Sequence, residues 1–331
     1  MSDTFKVVTV TEYEKAELLE QPLPEEPLGP DEMCGKTLAS LVSPGTELNT
    51  NYLGKWFPQT PGYAAVFEVE EVGEEITEIK PGDVVLTSGP AGMGGHRSFQ
   101  RCNRQSAVPV PQNVAPVPAT LARLMCVSMT TLTTTVARPP EKVLVMGLGP
   151  VGHLACQTYF ACGYEVMAVD PDENRRKLLA DKGFERVFEK TPLEDKETLA
   201  NVALVLECSG NEQATLEGCK AVRKRGEVVQ IGIPWKARTE ILAQELLHAV
   251  YRGYVTLRSG WEWEISRYGE PFRVGSVFGN IAGAMRFLSE GRIDTEGLYE
   301  VVSPADPQKV YQDLLHKRID ALSVVFDWSK V

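Results

Sequence analysis

The sequence predicts an α/β domain with a doubly wound parallel sheet, inserted into a β-rich domain. A glycine-rich loop between an apolar strand and a helix begins at Gly147, strands alternate with helices from Lys142 to Arg258, and residues 1–118 contain short apolar runs broken by Pro and Gly. Alternating strands and helices are typical of a parallel sheet with crossover helices. Short strands with frequent turns are typical of a small barrel or folded sheet.

Residues 1–118 are expected to form the first part of the β-rich domain. Turn residues separate its apolar runs, with Pro-Gly at 44–45 and 61–62 and Pro-Gly-Asp at 81–83. The runs predict strands at Phe5–Val10, Thr37–Val42, Ala64–Val72 and Asp83–Leu86.

The inserted domain is predicted over residues 119–260, and residues 261–331 are expected to complete the first domain. In the insert, hydrophobic periodicity predicts helices at Ala119–Thr135, Pro150–Cys162, Glu173–Lys182, Glu212–Val222 and Thr239–Tyr251. The strands between them are predicted at Val143–Met146, Glu165–Val169, Arg186–Phe188, Val202–Glu207, Glu227–Ile231 and Gly253–Arg258. The last segment has predicted helices at Asn280–Glu290 and Pro307–Lys317 and a strand at Leu322–Trp328.

Composition and charge narrow the class of protein. A chain of 331 residues is long enough for two domains that each bury a core. The longest apolar runs are too short for a membrane span, and residues 1–6 do not resemble a signal peptide. A net charge of −11 disfavours nucleic acid as the main partner. We therefore expect a small-molecule substrate, no nucleic acid and no membrane.

The cysteines and histidines predict neither a disulfide framework nor a zinc site. The four histidines (His96, His153, His248 and His316) are scattered, and zinc sites usually need closely paired ligands. The seven cysteines contain no Cys-x-x-Cys pair, which favours reduced thiols in a cytoplasmic protein. They are Cys34, Cys102, Cys126, Cys156, Cys162, Cys208 and Cys219.

The glycine-rich loop carries the most specific signal. It reads Gly147-Leu148-Gly149-Pro150-Val151-Gly152, and Asp170 ends the next strand 23 residues after Gly147. In a Rossmann dinucleotide-binding unit the first glycine allows the tight turn, the second lets the backbone approach the pyrophosphate, and the third lets helix and strand pack closely. The N-terminus of the helix attracts phosphate. A glycine turn that merely connects two elements is the alternative interpretation.

Asp170 favours NAD, because a carboxylate accepts the ribose hydroxyls and repels a 2′-phosphate. Arg175 and Arg176 follow closely, so NADP stays open as the less favoured cofactor; their alternative role is a solvated helix face. Small residues also end two later strands and are expected to line the cofactor, although they also suit ordinary turns. They are Cys208, Ser209, Gly232, Ile233 and Pro234.

With these motifs in order, the chain resembles the medium-chain dehydrogenase/reductase superfamily, in particular its zinc-type alcohol and polyol dehydrogenases. The resemblance implies a GroES-like catalytic domain, a Rossmann domain, a cleft between them, and a homodimer paired through the last Rossmann strand, here Tyr254–Arg258. Besides the glycine loop, it rests on Ser-Pro-Gly-Thr-Glu-Leu at 43–48, Pro-Gly-Tyr-Ala-Ala-Val at 61–66, Lys-Pro-Gly-Asp-Val-Val at 80–85 and the tail 318–328.

The sequence departs from this family at the zinc ligands. The position of the first ligand, a cysteine, is Pro44 or Ser43, and the His-Glu pair is replaced by Tyr63 and Ala64. Only Cys126 matches a later ligand, and the four-cysteine structural loop is missing, since residues 89–104 contain one cysteine. A catalytic zinc normally needs three protein ligands. The pattern resembles a zinc-lacking branch that includes bacteriochlorophyllide dehydrogenase-like oxidoreductases.

Without a metal, side chains must stabilise the oxyanion that develops during hydride transfer. Tyr63 is the first candidate, as a phenol that donates to an oxygen near the nicotinamide; the alternative is that it fills the vacant metal site. Thr46 matches the family's proton-relaying hydroxyl. Its neighbour Glu47 is a general base, a domain-closing ion pair or a structural acceptor. His96, the only histidine before residue 119, is a candidate acid/base or substrate ligand.

Three hypotheses follow. The leading one is a zinc-independent, NAD(H)-dependent oxidoreductase that acts on a carbonyl, a secondary alcohol or an activated alkene. The second is a catalytically inactive dinucleotide-binding regulator or scaffold. The third is an enzyme whose zinc is held by unexpected ligands such as Cys126, His96 and Glu47.

Overall fold

The computed structural model of the chain describes residues 4–89 and 95–331. The start of the N-terminal segment and part of the 89–104 segment, both considered above, therefore lie outside the described residues. The chain divides into two compact units. Unit 1 comprises Met1–Arg123, Ile281–Glu290 and Thr295–Val331, and unit 2 comprises Leu124–Asn280 and Gly291–Asp294. The domain ranges 1–118, 119–260 and 261–331 stay a sequence-based prediction.

Strands and helices are numbered in chain order. The strands are β1 Thr4–Glu12, β2 Lys15–Pro22, β3 Glu32–Val42, β4 Ala65–Val72, β5 Val84–Thr87, β6 Phe99–Asn103, β7 Ala107–Pro109, β8 Lys142–Met146, β9 Glu165–Val169, β10 Val187–Phe188, β11 Val202–Glu207, β12 Glu227–Gln230, β13 Thr256–Ser259, β14 Tyr299–Val302 and β15 Ser323–Asp327. The helices are α1 Pro44–Thr46, which continues as a π-helix over Glu47–Tyr52, α2 Pro116–Ala119, α3 Ala122–Thr134, α4 Pro150–Ala161, α5 Glu173–Ala180, α6 Glu212–Ala221, α7 Ala243–Gly253, α8 Val277–Ser289 and α9 Pro307–Leu315. Within residues 4–89 and 95–331, none of the helices has the length and apolar character needed to cross a bilayer.

Unit 1 is built on a mixed sheet. Its strands lie in the order β14-β15-β3-β4-β5-β7, and β6 also pairs with β3. Apart from the parallel pair β14 and β15, all of these pairs are antiparallel. The β1–β2 hairpin joins this part of the chain through single bridges, one of which pairs Val10 with Gln59. The core beneath the sheet contains Trp328, Phe326 and Tyr311, all at most 1% exposed.

Unit 2 is built on six parallel strands in the order β10-β9-β8-β11-β12-β13. Successive strands run outward from β8 on one side and from β11 on the other, so the order reverses between these two. Apolar residues from both faces of the sheet are buried, because helices cover a parallel sheet on both sides. In such a sheet ligands bind outside the carboxyl ends of the strands at this point of reversal.

The predicted fold class is confirmed, while several element limits differ. The predicted helix Ala119–Thr135 corresponds to α3, which begins at Ala122 after the short separate helix α2, and α7 begins at Ala243 rather than at Thr239. Strand β2 was not predicted because most of its side chains are exposed, so its sequence lacks the alternation of a half-buried strand.

His153, in the first turns of α4, is a buried ionisable group in the core of unit 2. Its side chain is inaccessible, and its Nδ1 lies 3.3 Å from Gln157 Nε2. Burial, reinforced by the positive charge of Lys182, lowers the pKa of His153 to about 4. The imidazole is therefore neutral in the folded protein at neutral pH.

The protein is expected to lose stability as the pH falls from 6.5 to 4. The unfolded chain protonates His153 below its ordinary pKa, whereas the folded chain resists protonation until about pH 4. This group leaves the free energy of unfolding undiminished above pH 6.5 and lowers it by about 3 kcal/mol by pH 4. Urea unfolding at several pH values measures it. His153→Leu should flatten this part of the profile, and His248→Leu, at an exposed histidine, should not. Parallel profiles for wild type and His153→Leu would contradict the assignment.

Candidate functional site

The loop after β8 has a shape that only glycine permits at two positions. Gly147 has φ +91°, and a side chain there would meet the Cβ of Ser209 at 2.8 Å. A Cβ on Gly152 would collide with the carbonyl oxygen of Gly147. The turn out of β8 and the start of α4 therefore pack backbone against backbone, as the glycine spacing predicts.

The same loop presents an open face at the start of α4. A Cβ built on Gly149 would meet nothing within 4 Å, and no side chain caps the helix at this residue. Pro150 lacks an N–H, and the N–H groups of Val151 and Gly152 belong to the first turn, which makes no intrahelical bonds. Unpaired donors at a positive helix end, next to open space, fit a diphosphate group.

Asp170 lies directly after β9 and is 3% exposed. Its Oδ2 accepts a hydrogen bond from the Leu148 N–H at 2.6 Å, and its Oδ1 accepts one from the Asp172 N–H at 2.8 Å. The carboxylate thus connects the glycine loop to the end of the neighbouring strand. A carboxylate has about four acceptor positions, so these two bonds leave acceptors for the two hydroxyls of a ribose.

The two arginines beside Asp170 have different surroundings. Arg175 Nη1 lies 3.7 Å from Asp170 Oδ2, and its side chain is 41% exposed. Arg176 Nη1 instead donates to the backbone carbonyls of Asp170 and Pro171, at 2.9 and 2.8 Å. Arg175 is therefore the arginine whose charge lies next to the carboxylate.

The residues predicted at later strand ends lie at the same edge of the sheet. The Cβ of Cys208 is 3.2 Å from the position of a Cβ on Gly152, and Ser209 packs on Gly147. Gly232 follows β12, where its backbone packs against the loop after β11. Ile233 is 43% exposed and Pro234 is also exposed. The structure thus brings the predicted loop and both strand ends together.

Glu207, the last residue of β11, was missed by the sequence analysis. Its carboxylate is inaccessible and accepts the backbone N–H groups of Ser209 at 2.7 Å and Gly210 at 3.0 Å, together with the Ser209 hydroxyl. Burial raises the pKa of Glu207 above its ordinary value. A charged residue ending the apolar run Val202–Leu206 was the available signal. Glu207 shapes the turn that packs on the glycine loop.

In unit 1, Glu47 and His96 are joined in a buried network. His96 Nε2 lies 3.0 Å from Glu47 Oε2, and His96 Nδ1 lies 2.8 Å from Ser40 Oγ. Glu47 also accepts the Tyr311 hydroxyl at 2.7 Å and the Ser43 N–H at 2.8 Å. Burial, together with the charge of Glu47, raises the pKa of Tyr311 well above its ordinary value, so this phenol stays a donor.

This network connects the elements that carry the other two candidates. Glu47 is 1% exposed and His96 is inaccessible, so neither faces solvent. Thr46 precedes Glu47 and ends α1, and its side chain is partly exposed. The His96 and Gly95 N–H groups donate to the carbonyls of Pro61 and Gly62, which precede Tyr63. His96 thus lies between the helix of Thr46 and the turn of Tyr63.

Tyr63 lies under an arginine that the sequence analysis did not single out. The guanidinium carbon of Arg123 is 4.7 Å from the centre of the Tyr63 ring, and Arg123 Nε donates to Ser88 Oγ at 2.9 Å. Arg123 is 2% and Tyr63 8% exposed. The signal was one arginine in an apolar run, Leu121-Ala-Arg-Leu-Met125.

The residues weighed as metal ligands show no metal geometry. No group of three or more His, Cys, Asp or Glu able to hold a metal is found within residues 4–89 and 95–331. Cys126 is buried in unit 2, with its thiol 3.4 Å from the Val277 carbonyl oxygen.

Known proteins with similar sequences are dehydrogenases. Residues 150–260 match the family model described as Zinc-binding dehydrogenase. An alcohol dehydrogenase from Geobacillus stearothermophilus is 26% identical over 273 residues, covering 69% of this chain and 77% of that protein. An L-threonine 3-dehydrogenase from Thermococcus kodakarensis is 29% identical over 255 residues, covering 66% and 72%. Residues 150–260 therefore form a domain of the zinc-binding dehydrogenase family, and the chain is similar to alcohol and threonine dehydrogenases. The predicted resemblance and enzyme class are confirmed at this level.

Solved structures show the medium-chain dehydrogenase/reductase fold over nearly the full length. Galactitol-1-phosphate dehydrogenase from Escherichia coli has a TM-score of 0.82 at 18% identity, covering 97% of this chain and 99% of that chain. Acetophenone reductase from Geotrichum candidum, in complex with NAD, has 0.78 at 16%, covering 100% and 99%. A zinc-binding dehydrogenase from Sinorhizobium meliloti, bound to NADP, has 0.75 at 16%, covering 98% and 100%. These likenesses confirm the GroES-like and Rossmann fold class.

Proposed function

We propose that this chain is a zinc-independent, NAD(H)-dependent oxidoreductase that acts on a carbonyl, a secondary alcohol or an activated alkene. The observation that carries the proposal is Asp170, which is bonded to the glycine loop at the carboxyl edge of the parallel sheet. Alcohol, threonine and galactitol-phosphate dehydrogenases among its relatives and structural neighbours support redox chemistry on a small molecule.

The cofactor proposed is NAD, with NADP less favoured. Complexes with NAD and with NADP occur among the structural neighbours, so they support a nicotinamide dinucleotide of either kind. Asp170 favours the ribose hydroxyls, whereas the adjacent Arg175 would tolerate a 2′-phosphate. The donors of the α4 N-terminus would hold the diphosphate, and Cys208, Ser209, Gly232, Ile233 and Pro234 would line the cofactor.

When bound, the nicotinamide supplies or accepts the hydride. The residues of this chain then position the substrate and stabilise charge on its oxygen. We assign proton donation to Tyr63 and relay to Thr46. We assign positioning to Glu47 and His96, because their polar atoms are buried and already bonded to neighbouring residues.

The proposal includes the absence of a catalytic zinc. Pro44 or Ser43, Tyr63 and Ala64 occupy three of the four family ligand positions, and none of these side chains is a usual zinc ligand. Elemental analysis of protein purified without chelator, before and after added zinc, tests this directly. One tightly held zinc per chain would overturn the metal-free proposal and favour unexpected ligands.

We also propose a cytoplasmic homodimer. The seven cysteines are free thiols, which supports a reducing compartment. Strand β13 pairs with β12 and lies at the end of the sheet order, so its outer edge supports pairing with a second copy. Light scattering during size-exclusion chromatography measures the mass in solution, and a monomer at micromolar concentration would contradict the dimer.

Fluorescence titration with NADH and NADPH, followed by a turnover screen, tests the function. We expect NADH to bind more tightly than NADPH and to be oxidised by at least one member of a panel of aldehydes, ketones, quinones and enones. NAD reduction by secondary alcohols gives the reverse direction. Tight NADH binding without turnover across the panel would favour the inactive regulator, and absence of binding would overturn both readings.

Tyr63→Phe is expected to lower kcat by about 10²–10³-fold, the usual contribution of general acid catalysis or of one oxyanion donor. The ring and its packing are kept, so NADH affinity and thermal stability should change little. Steady-state kinetics with the best substrate from the panel measures the effect, and Tyr13→Phe, at an exposed phenol, is the control. An unchanged kcat would remove Tyr63 from the chemistry.

A further inference from the structure

Arg123 is a buried cation with a defined place in unit 1. It is the second residue of α3, and it lies over the face of the Tyr63 ring. Tyr63 lies two residues before the start of β4, and Ser88 directly follows β5. Because Ala65 pairs with Thr87, Tyr63 and Ser88 lie at the same end of these two strands. Three separate segments therefore contribute to one cluster.

The cluster holds a buried positive charge in a fixed position, where it could stabilise negative charge that develops nearby. Arginine stays charged at any physiological pH, and a fully buried cation is costly unless neighbouring groups compensate for lost water. Ser88 fixes the Nε end of the guanidinium, and the π-face of Tyr63 attracts the charge. A charge held in this way needs little reorganisation when negative charge develops nearby, and the low-dielectric surroundings strengthen its field.

We propose that Arg123 and Tyr63 together bind the carbonyl oxygen of the substrate, with Arg123 supplying the positive charge that a metal supplies in zinc-dependent relatives. The inference rests on the proposed function, since it describes how this chain activates its substrate. It identifies the ligand class as compounds with a polarisable carbonyl oxygen, such as conjugated aldehydes and ketones. Tyr63 donates its hydroxyl to that oxygen, and the guanidinium stabilises the charge that accumulates there.

A chromophoric aldehyde tests the pair without turnover. The absorption band of 4-(dimethylamino)cinnamaldehyde moves to longer wavelength when its carbonyl oxygen is polarised, because its excited state carries more negative charge on oxygen. ADP-ribose takes the place of the cofactor, so no hydride is available. We expect the wild-type protein to bind the aldehyde with such a band shift. No band shift with the wild type would contradict the proposal.

The variants separate charge from packing. Arg123→Met keeps an unbranched side chain and removes the charge; it should lose the band shift and bind about ten- to hundredfold more weakly, as for a lost charge-assisted hydrogen bond. Arg123→Lys should keep part of the shift. Arg101→Met, at an arginine paired with Glu32, is the matched control and should behave as wild type. A folded Arg123→Met protein with wild-type shift and affinity overturns the proposal.

Two further measurements keep the test decisive. Guanidinium ion added at millimolar concentration to Arg123→Ala should restore the band shift, whereas an equal concentration of sodium chloride should not. Equal effects of the two salts would contradict the proposed role of the Arg123 charge. Where the Arg123 variants do not fold, Ser88→Ala removes the acceptor of the Arg123 Nε–H and should reduce the shift, and an unchanged shift overturns the proposal. Titration with NADH is independent: a protein that binds the aldehyde but not NADH refutes the proposed function alone.

Discussion

Asp170→Ala is expected to weaken NADH binding by about ten- to hundredfold, as for the loss of charge-assisted hydrogen bonds to the ribose hydroxyls. The same change removes the acceptor of the Leu148 N–H, so the glycine loop also loses its tie to the end of β9. NADPH should suffer less, because its 2′-phosphate is no longer repelled and Arg175 lies close by. The ratio of the NADH and NADPH dissociation constants should therefore move toward NADPH.

Fluorescence titration of both cofactors measures this ratio in the wild type and the variant. Glu173→Ala is the matched control, because it removes an exposed negative charge from the first turn of α5. Asp170→Asn adds a second comparison, since it retains the size of the side chain and an amide oxygen for the Leu148 N–H. A ratio that stays the same in Asp170→Ala would show that this carboxylate does not select the cofactor.

Glu47→Ala is expected to lower the free energy of unfolding by about 3–5 kcal/mol, the range for breaking a buried ion pair or its equivalent. The change leaves three donors without their acceptor in a buried space: His96 Nε2–H, the Tyr311 hydroxyl and the Ser43 N–H. Because a domain is commonly stable by only about 5–15 kcal/mol, this loss should be visible as a large drop in the denaturation midpoint.

Chemical denaturation followed by circular dichroism measures the effect on stability. Glu68→Ala, at an exposed position of β4, is the control, and a change within about 0.5 kcal/mol is expected there. Glu47→Gln retains an acceptor for one donor, so its loss of unfolding free energy should lie between those of Glu47→Ala and Glu68→Ala. If Glu47→Ala were as stable as wild type and lost only turnover, Glu47 would be a reacting group rather than a positioning residue.

Local sequence was enough to predict the glycine loop and its contact with the neighbouring strand end. The signal between Gly147 and Asp170 is short-range, because a strand, a turn and a helix N-terminus are contiguous in the chain and each glycine has a local steric reason. Asp170 could be placed beside the loop since adjacent parallel strands end at the same edge. The residues of the turns after β11 and β12 were predicted at this edge for the same reason, because these strands are parallel to β8 and β9.

The surroundings of the proposed catalytic residues depend on contacts between distant segments. Glu47 and His96 were predicted as candidate reacting groups from residue type, but whether such side chains face substrate or core is decided by packing. Tyr311 donates to Glu47 although the two are 264 residues apart in the sequence. Ser40 contacts His96, which is 56 residues away in the sequence. No periodicity in the sequence indicates these partners, because β3, α9 and the segment around His96 meet only in the folded unit.

The sequence by itself predicted a dinucleotide-binding loop at Gly147–Gly152, a carboxylate for the ribose hydroxyls at Asp170, and the loss of the family's zinc ligands at Pro44 or Ser43, Tyr63 and Ala64. Only the tertiary structure decided which polar side chains are buried supports and which cation lies over Tyr63. The physical reason is that the conformation of a backbone turn depends on residues that are contiguous in the sequence. The electrostatic field at a site depends on groups brought together from separate strands and helices. Arg123 is a single charged residue in an apolar run, and it became a candidate through its contacts with Tyr63 and Ser88.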